Sequence, residues 1–329
     1  MTENKFLLKF LGRPLLHHQI ERAKQAGLKD FVFIGNPGNI DQVQEIAART
    51  PDIKYSLAVQ EQALGMANAL ENAAASLTGE IIVVSPNDVF DQSAYSVILS
   101  AHKRSHAASY ILGYKVKEYF PGGYLVVNSQ GELLNIVEKP KPGTEPSDLI
   151  NIVLHLHTDA STLLQYIRRA TGDKDDRYEQ ALAGMLKDQL NIKVAVYDGF
   201  WGAVKYPWHI FNIVKYLLDS SPTHIAPSAK ISDRAVIEGK VIIGENVRVL
   251  ENASIKGPCY IGDNTVIGNN ALVRDYSHIG SNCVVGFSTE VKHSYVGDDC
   301  WFHSDYIGDS VIGDRCYFDI ELIFQHSSQ

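Results

Sequence analysis

The sequence predicts an α/β sheet domain followed by a parallel β-helix. Three observations carry that expectation. Strand-like and helix-like patterns alternate over residues 1–220, a six-residue period runs over residues 225–291, and Ser220-Ser221-Pro222-Thr223 separates the two stretches. Residues 1–220 are therefore expected as one domain and 221–329 as the second.

In the first domain, residues 14–27 have helical spacing (Leu15, Leu16, Ile20, Ala23) and a glycine stop. Residues 30–35 read as a short buried strand, 40–48 as a helix, 55–59 as a strand and 65–77 as an Ala-rich helix. Residues 79–85 are an apolar run of central-strand type ending in Pro86-Asn87-Asp88. Residues 94–105 read as helix and 109–115 as extended. Residues 123–128 and 133–138 flank Ser129-Gln130-Gly131, a hairpin signal. Residues 150–156 and 192–197 read as strands, and 160–170, 177–186 and 208–218 as helices. This alternation predicts a mainly parallel sheet, with ligands beyond the carboxyl ends of its strands. Asp88 falls in that position. Trp201, Tyr206 and Trp208 are expected in the core, and Arg168-Arg169 on a solvated face.

In the second domain, every sixth residue from Ile225 to Val291 is Ile or Val. Two positions before each stands a small or β-branched residue, such as Ala229, Ala253, Cys259 or Thr265. Residues two apart in a strand share a face, so each unit buries one branched aliphatic and one small side chain. Gly244, Gly262, Gly268, Gly280 and Gly286 follow the aliphatic, and Asn recurs two further on. Both residue types tolerate the left-handed backbone that a corner needs.

Composition narrows the function. Charged residues are 21% and apolar residues 45% of the 329, an ordinary globular balance. The net charge of −8, with no basic tail, argues against nucleic-acid binding. No apolar run reaches membrane-spanning length and no signal-peptide pattern opens the chain, so a cytoplasmic protein without a membrane partner is expected. The four cysteines (Cys259, Cys283, Cys300, Cys316) form no Cys-x-x-Cys pair and fall in the small-residue slot, as core thiols in a reducing compartment would.

The six-residue pattern resembles the hexapeptide-repeat left-handed β-helix, in which three units make one coil. The run would then make about four coils. Several stretches of the first domain resemble the sugar-phosphate nucleotidyltransferases. These are residues 5–15 (Lys-Phe-Leu-Leu-Lys-Phe-Leu-Gly-Arg-Pro-Leu), 60–67 (Gln-Glu-Gln-Ala-Leu-Gly-Met-Ala), 83–88 ending in Asp88, Val137-Glu138-Lys139-Pro140, and 201–208. The resemblance implies a Rossmann-like nucleotidyltransferase sheet, lacking its first strand, followed by a left-handed parallel β-helix. It also implies transfer from a nucleoside triphosphate to a sugar 1-phosphate, with release of pyrophosphate. Such a reaction needs two anions aligned and their charge neutralised. By resemblance Lys5 and Lys139 would sit on phosphates and Asp88 would hold Mg²⁺. Gln60 can donate and accept together, which suits a pyrimidine edge, so UTP or dTTP is favoured. Gly65 would let the backbone approach the base. Glu138 would accept from sugar hydroxyls beside Asn151 and the Gly123–Tyr124 turn. The family's glycine-rich phosphate loop, roughly 20 residues, is expected to be missing before Met1. Ala203 stands where the family often has a second metal-binding Asp or Asn.

Beyond Val291 the period slips, with two steps of five. That stretch resembles the acetyltransferase half of bifunctional N-acetylglucosamine-1-phosphate uridyltransferases and their archaeal relatives, through Glu290-Val291-Lys292, His303-Ser304-Asp305-Tyr306 and Gly308-Asp309-Ser310. His303 would be the general base, since imidazole titrates near neutrality. Arg274 and Lys292 would bind phosphate, and Tyr306 the sugar phosphate. Acetyl-CoA would be the co-substrate, although residues 319–329 do not continue the family's coils. Two alternatives to nucleotidyl transfer follow: a hexapeptide acyltransferase acting on an amino-sugar phosphate, and a non-catalytic or regulatory fragment. The β-helix implies a homo-oligomer, a trimer in the family.

Overall fold

The computed structural model describes residues 4–171 and 176–318. Its strands and helices fall into two compact units, one of Leu16–Trp201 and one of Met1–Leu15 with Gly202–Gln329. In chain order the elements up to the β-helix are β1 (Lys9–Phe10), β2 (Arg13–Pro14), α1 (Leu15–Gln25), β3 (Asp30–Gly35), α2 (Ile40–Ala48), β4 (Lys54–Val59), α3 (Gly65–Asn72), β5 (Ile81–Val84), β6 (Asp88–Phe90), α4 (Gln92–Arg104), β7 (Ser109–Lys115), β8 (Gly123–Val127), β9 (Leu133–Glu138), β10 (Leu149–His157), α5 (Ala160–Arg169), α6 (Arg177–Lys187), β11 (Ile192–Tyr197) and α7 (His209–Ser220).

The main sheet of the Leu16–Trp201 unit runs β11-β7-β10-β8-β9, with β5 also on β10. It is mixed rather than mainly parallel. β11 is parallel to β7, but β10 is antiparallel to β5, β7 and β8, and β8 is antiparallel to β9. The reason lies in residues 109–157, which supply four strands with no helix between them. A parallel neighbour needs a crossover of a dozen or more residues, and that stretch provides none. β3 and β4 pair in parallel as a separate two-stranded sheet.

Helices cover both faces. One face buries Ala94, Tyr95 and Ile98 of α4 against Tyr110, Leu112, Tyr124 and Ile150. The other buries Ala67 and Leu70 of α3, Leu163 and Ile167 of α5, and Tyr178, Leu182 and Met185 of α6 against Ile111, Leu125 and Leu133. α5 starts on Asp159, whose carboxylate accepts from the backbone N–H of Ser161 and Thr162.

The β-helix consists of three parallel sheets of six, six and five strands, reaching Tyr317–Phe318. Its core stacks the predicted aliphatics in columns, for example Ile243, Ile261, Ile279 and Val296, with Ala253, Ala271, Cys259, Cys283 and Cys300 in the small slots. Full burial of one such aliphatic is worth about 1.5–3 kcal/mol. The shortened steps beyond Val291 do not break the ladders: Ile279 still pairs Val296, Val285 pairs Phe302, and Val291 pairs Ile307. The corners take up the difference. In the regular coils before Val291, the corner residues Asn246, Asn264 and Asn282 lie at φ of 56–58° and pass side-chain amide bonds of 3.2 and 3.1 Å from coil to coil. The four cysteines are unpaired. No helix among the described residues is long and apolar enough to cross a membrane.

Coils approach closely at their glycines. A Cβ on Gly262 would lie 2.5 Å from the carbonyl carbon of Gly280 and 2.6 Å from the nitrogen of Ser281, both rigid backbone. Gly262→Ala is expected to destabilise the β-helix by about 2–4 kcal/mol, read as a lower urea midpoint at unchanged slope. An unchanged midpoint would show that the coils can part at this corner.

In the same unit the β1–β2 hairpin rests on the β-helix. Tyr295 Oη donates to the carbonyl of Lys9 (2.8 Å), Lys9 pairs with Asp298 (2.6 Å), and Leu11 N–H donates to His278 Nε2 (3.1 Å). Leu11 sits at φ 48°, a conformation unfavourable for its side chain by about 1–2 kcal/mol, and the His278 bond helps to hold it.

Candidate active site

In the Leu16–Trp201 unit, three predicted residues share one row of the sheet. Gly123 pairs with Glu138 across β8 and β9, and Tyr124 with Ile150 across β8 and β10. One step along that antiparallel register sets Asn151 beside Gly123. Ile136, on the same face as Glu138, packs with the α3, α5 and α6 cluster, so this row lies on the α3 side of the sheet. The Glu138 carboxylate folds over Gly123, where a Cβ would collide with its Oε1. Only glycine leaves room for the acid in this position. Lys139 follows at φ 43°, with its N–H on the carbonyl of Gly122 (3.1 Å). Lys139 is exposed. Tyr124 is buried, and its hydroxyl accepts from Phe120 N–H (2.9 Å), so it shapes the loop before Gly123 from within the core.

Gln60 directly follows β4 and reaches the start of α3. Its Nε2 donates to the carbonyl of Gly65 (2.9 Å) and to Asn68 Oδ1 (3.1 Å). A backbone carbonyl can only accept, which fixes the amide orientation. Both hydrogens are then used, and Oε1 remains as an acceptor. The sequence suggested a residue that donates and accepts; the structure leaves it the acceptor alone. Gly65 has φ 81°, which favours glycine at this turn.

Asp88 opens β6 and is largely buried, with its N–H on the carbonyl of Ser85 (3.3 Å). Ser85 is tied to β10 through Val153 (3.0 Å). Helix capping falls to Asp91, which accepts from Ser93 N–H (2.7 Å) and Phe200 N–H (3.1 Å). Asp88 is therefore not the cap of α4. Among the described residues no group of three or more His, Cys, Asp or Glu is placed to hold a metal. A Mg²⁺ ion that arrives on phosphates needs only one or two protein carboxylates, and Asp88 fits that role. Ala203 adds no ligand.

In the other unit, Lys5 opens a 3₁₀ turn (Lys5–Leu7) ahead of the β1–β2 hairpin. Tyr206 and Trp208, expected in the core, are 46% and 59% exposed and stack on each other at 4.7 Å. They immediately precede α7, whose apolar face is formed by Ile210, Ile213, Val214 and Leu217, and so lie outside its buried stripe.

On the β-helix, Arg274 pairs with Lys292 and Glu290 with Tyr306 across adjacent coils. Four predicted acyl-transfer residues or neighbours are thus brought onto one sheet. Arg274 donates to Glu290 (2.8 Å) and also bonds Asp275, and these carboxylates hold its guanidinium above its usual range. Lys292 lies 3.5 Å from Asp309. Tyr306 is 63% exposed. His303 is exposed at the corner before it, with its backbone N–H on Asp305 (3.0 Å). His293, which the sequence reading passed over, bonds Asp309 (2.6 Å) and stacks on Phe211. That bond, first of all, holds Asp309 below the usual carboxylate range.

Residues 1–201 match the nucleotidyl transferase family. The chain belongs to this family. Residues 240–275 and 258–293 also match the bacterial transferase hexapeptide repeat, whose coils are left-handed. The chain has relatives along nearly its whole length. It is 33% identical to the bifunctional protein GlmU of Methanococcus maripaludis (strain C7), over 97% of this chain and 74% of that protein. It is 29% identical to a bifunctional sugar-1-phosphate nucleotidylyltransferase/acetyltransferase of Sulfurisphaera tokodaii, over 96% and 76%. Among solved structures, a UDP-glucose pyrophosphorylase from Acinetobacter baumannii superposes with a TM-score of 0.55 at 19% identity, covering 66% of this chain and 86% of that one. A likeness at that identity shows the fold.

The sequence reading also missed a buried polar chain behind Asn151. His155, His157, Ser109 and Tyr178 are all buried. The signal available was His155-Leu156-His157, two histidines two apart at the end of a strand expected over 150–156 and extending to His157.

Proposed function

We propose that the Leu16–Trp201 unit transfers a nucleotidyl group from UTP or dTTP to a sugar 1-phosphate. The Gly123–Glu138–Asn151 row carries this reading, because it lines up an acid and an amide at strand ends of a nucleotidyl transferase sheet. A phosphate oxygen of the sugar 1-phosphate attacks the α-phosphorus, the bond to the β-phosphate breaks, and pyrophosphate leaves. Glu138 accepts from sugar hydroxyls, with Gly123 and Tyr124 shaping the floor. Lys139 neutralises phosphate charge. Asp88 is the residue to hold Mg²⁺, which would add Lewis-acid neutralisation of the phosphates. Gln60 Oε1 accepts an N–H from the base edge, and Gly65 allows its approach.

A second activity is supported by the row of Arg274, Lys292 and Tyr306 with His303 beside it. There, acetyl transfer from acetyl-CoA to an amino-sugar phosphate would use His303 as base, Arg274 and Lys292 on the phosphate and Tyr306 on the sugar. We place both activities in a cytoplasmic homo-oligomer, a trimer assembled through the β-helix.

Pyrophosphate release tests the first activity, with UTP, dTTP, GTP, CTP and ATP each offered with glucose 1-phosphate or N-acetylglucosamine 1-phosphate. An acceptor at Gln60 suits the ring N–H of uracil or thymine and opposes the ring-nitrogen acceptor of cytosine or adenine. UTP or dTTP is expected to exceed CTP and ATP by about 100-fold in kcat/KM. GTP also offers a ring N–H and is the comparison that separates ring size from hydrogen bonding. Preference for ATP or CTP would overturn the role of Gln60. Pyrophosphate release with none of the five would overturn the first activity.

A further inference from the structure

Four hydrogen bonds link five buried or half-buried groups from the start of β7 to the candidate sugar site. Ser109 Oγ lies 2.7 Å from His157 Nδ1, His157 Nε2 lies 2.8 Å from Tyr178 Oη, Tyr178 Oη lies 2.8 Å from His155 Nδ1, and His155 Nε2 lies 2.8 Å from Asn151 Oδ1. Each neutral imidazole has one N–H and one acceptor nitrogen, and the phenol has one O–H. Tyr178 is buried with only these two hydrogen-bond partners among the described residues, so its O–H must go to one histidine while it accepts from the other, and the bonds all run in one direction or all in the other.

The far end decides between them. Ser109 is fully buried, and its hydroxyl has no other hydrogen-bond partner among the described residues. If the chain ran from Asn151 towards Ser109, the serine would accept from His157, and its own O–H would be buried without an acceptor. An unsatisfied buried donor is strongly disfavoured. If it runs from Ser109 towards Asn151, every donor has an acceptor. Ser109 then donates to His157 Nδ1, His157 Nε2–H to Tyr178, Tyr178 O–H to His155 Nδ1, and His155 Nε2–H to Asn151 Oδ1.

We propose that this relay fixes the side-chain amide of Asn151 with its carbonyl turned inward on His155 and its NH₂ turned outward. Asn151 is then a donor to an acceptor oxygen of the sugar 1-phosphate, complementing Glu138, which accepts. His155 is a positioning residue: it touches Asn151, not the substrate. The inference rests on the sugar-phosphate reading of the Glu138–Asn151 row. The Asn151 Nδ2 has no hydrogen-bond partner among the described residues, as an outward donor requires.

Two measurements on the full chain test it separately. Nitrogen-15 NMR of histidine-labelled protein reads the tautomers. Both His155 and His157 are expected as Nε2–H forms at neutral pH, and an Nδ1–H form of His155 would overturn the relay whatever the activity. Titration with glucose 1-phosphate, and in parallel N-acetylglucosamine 1-phosphate, reads the ligand. The Asn151 side-chain amide signals are expected to shift on binding, and His155→Gln, which loses the fixed donor, is expected to weaken sugar-phosphate binding about tenfold while leaving nucleotide binding within twofold. Asn151→Asp keeps the inward acceptor and removes the outward donor, so it is expected to weaken binding about 100-fold. Correct tautomers with sugar-phosphate binding unchanged in both variants would overturn the role of Asn151 and leave the relay as a structural feature. Binding of neither sugar phosphate by the unaltered chain would overturn the sugar reading itself.

Discussion

Lowering the pH from 7 to 5 is expected to remove about 4 kcal/mol of stability from the Leu16–Trp201 unit, through His155 and His157 alone. Burial pushes both imidazoles down to about 3, with the neighbouring His157 adding to the effect on His155. In the unfolded chain each returns to about 6.5. Between these values the unfolded state binds more protons, so the contribution is complete above pH 6.5 and is lost as pH falls towards 3. At pH 5 each histidine has cost about 2 kcal/mol relative to pH 7. A domain stable by about 5–15 kcal/mol feels that loss directly. Asp159, held down to about 2 chiefly by the hydroxyl of Ser161, adds a loss of the same sign only at more acid pH. Urea unfolding at pH 7, 6 and 5 should show a falling midpoint at a constant slope. His157→Gln should start lower at pH 7 and show about half the pH dependence. A midpoint independent of pH would mean that the relay is wet or that its imidazoles titrate normally.

How far the sequence carried depends on what periodicity can encode. The β-helix was legible because Ile243, Ile261 and Ile279 stack at a fixed interval, and no other fold explains that interval together with corner Asn and Gly. In the first unit Asp30–Gly35, Ile40–Ala48, Ser109–Lys115 and Ile192–Tyr197 fall where the residue pattern places them. Strand direction was not legible. The apolar run at β10 looks the same whether its neighbours are parallel or antiparallel, and only the lack of a helix between β7 and β10 decides it. The hydrogen-bonding polarity of Gln60 was not legible, because it depends on Gly65 and Asn68, which no spacing rule includes. Tyr206 and Trp208 were misread because aromatic content was taken for burial, whereas their exposure follows from preceding α7 outside its apolar stripe. The relay was invisible for the opposite reason: His155 and His157 are polar residues buried by virtue of partners on two other elements, β7 and α6.

Gly123→Ala should separate chemistry from stability at the candidate site. Gly123 lies in β8 without a positive φ, so its backbone accepts alanine. The new methyl would meet Glu138 Oε1, the movable end of a side chain, and Ile136 Cγ2 at 3.0 Å. The fold can yield by swinging Glu138 away, so thermal stability should change little. The carboxylate, however, would leave the row it shares with Asn151. A hydrogen bond to a charged group is worth about 1.5–3 kcal/mol, so losing one or two predicts a fall of about 10²-fold or more in kcat/KM for the sugar 1-phosphate. The KM for the nucleoside triphosphate should stay within twofold, because Gln60 and Gly65 are untouched. Glu138→Gln supplies the comparison: it keeps the volume and removes the charge, so its loss should be of similar size and the double variant should add little beyond either. Full additivity would mean that Gly123 acts by another route, such as the loop held by Tyr124 and Phe120. A large loss of stability in Gly123→Ala would mean that Glu138 cannot move, and that the row is braced for packing rather than for a substrate.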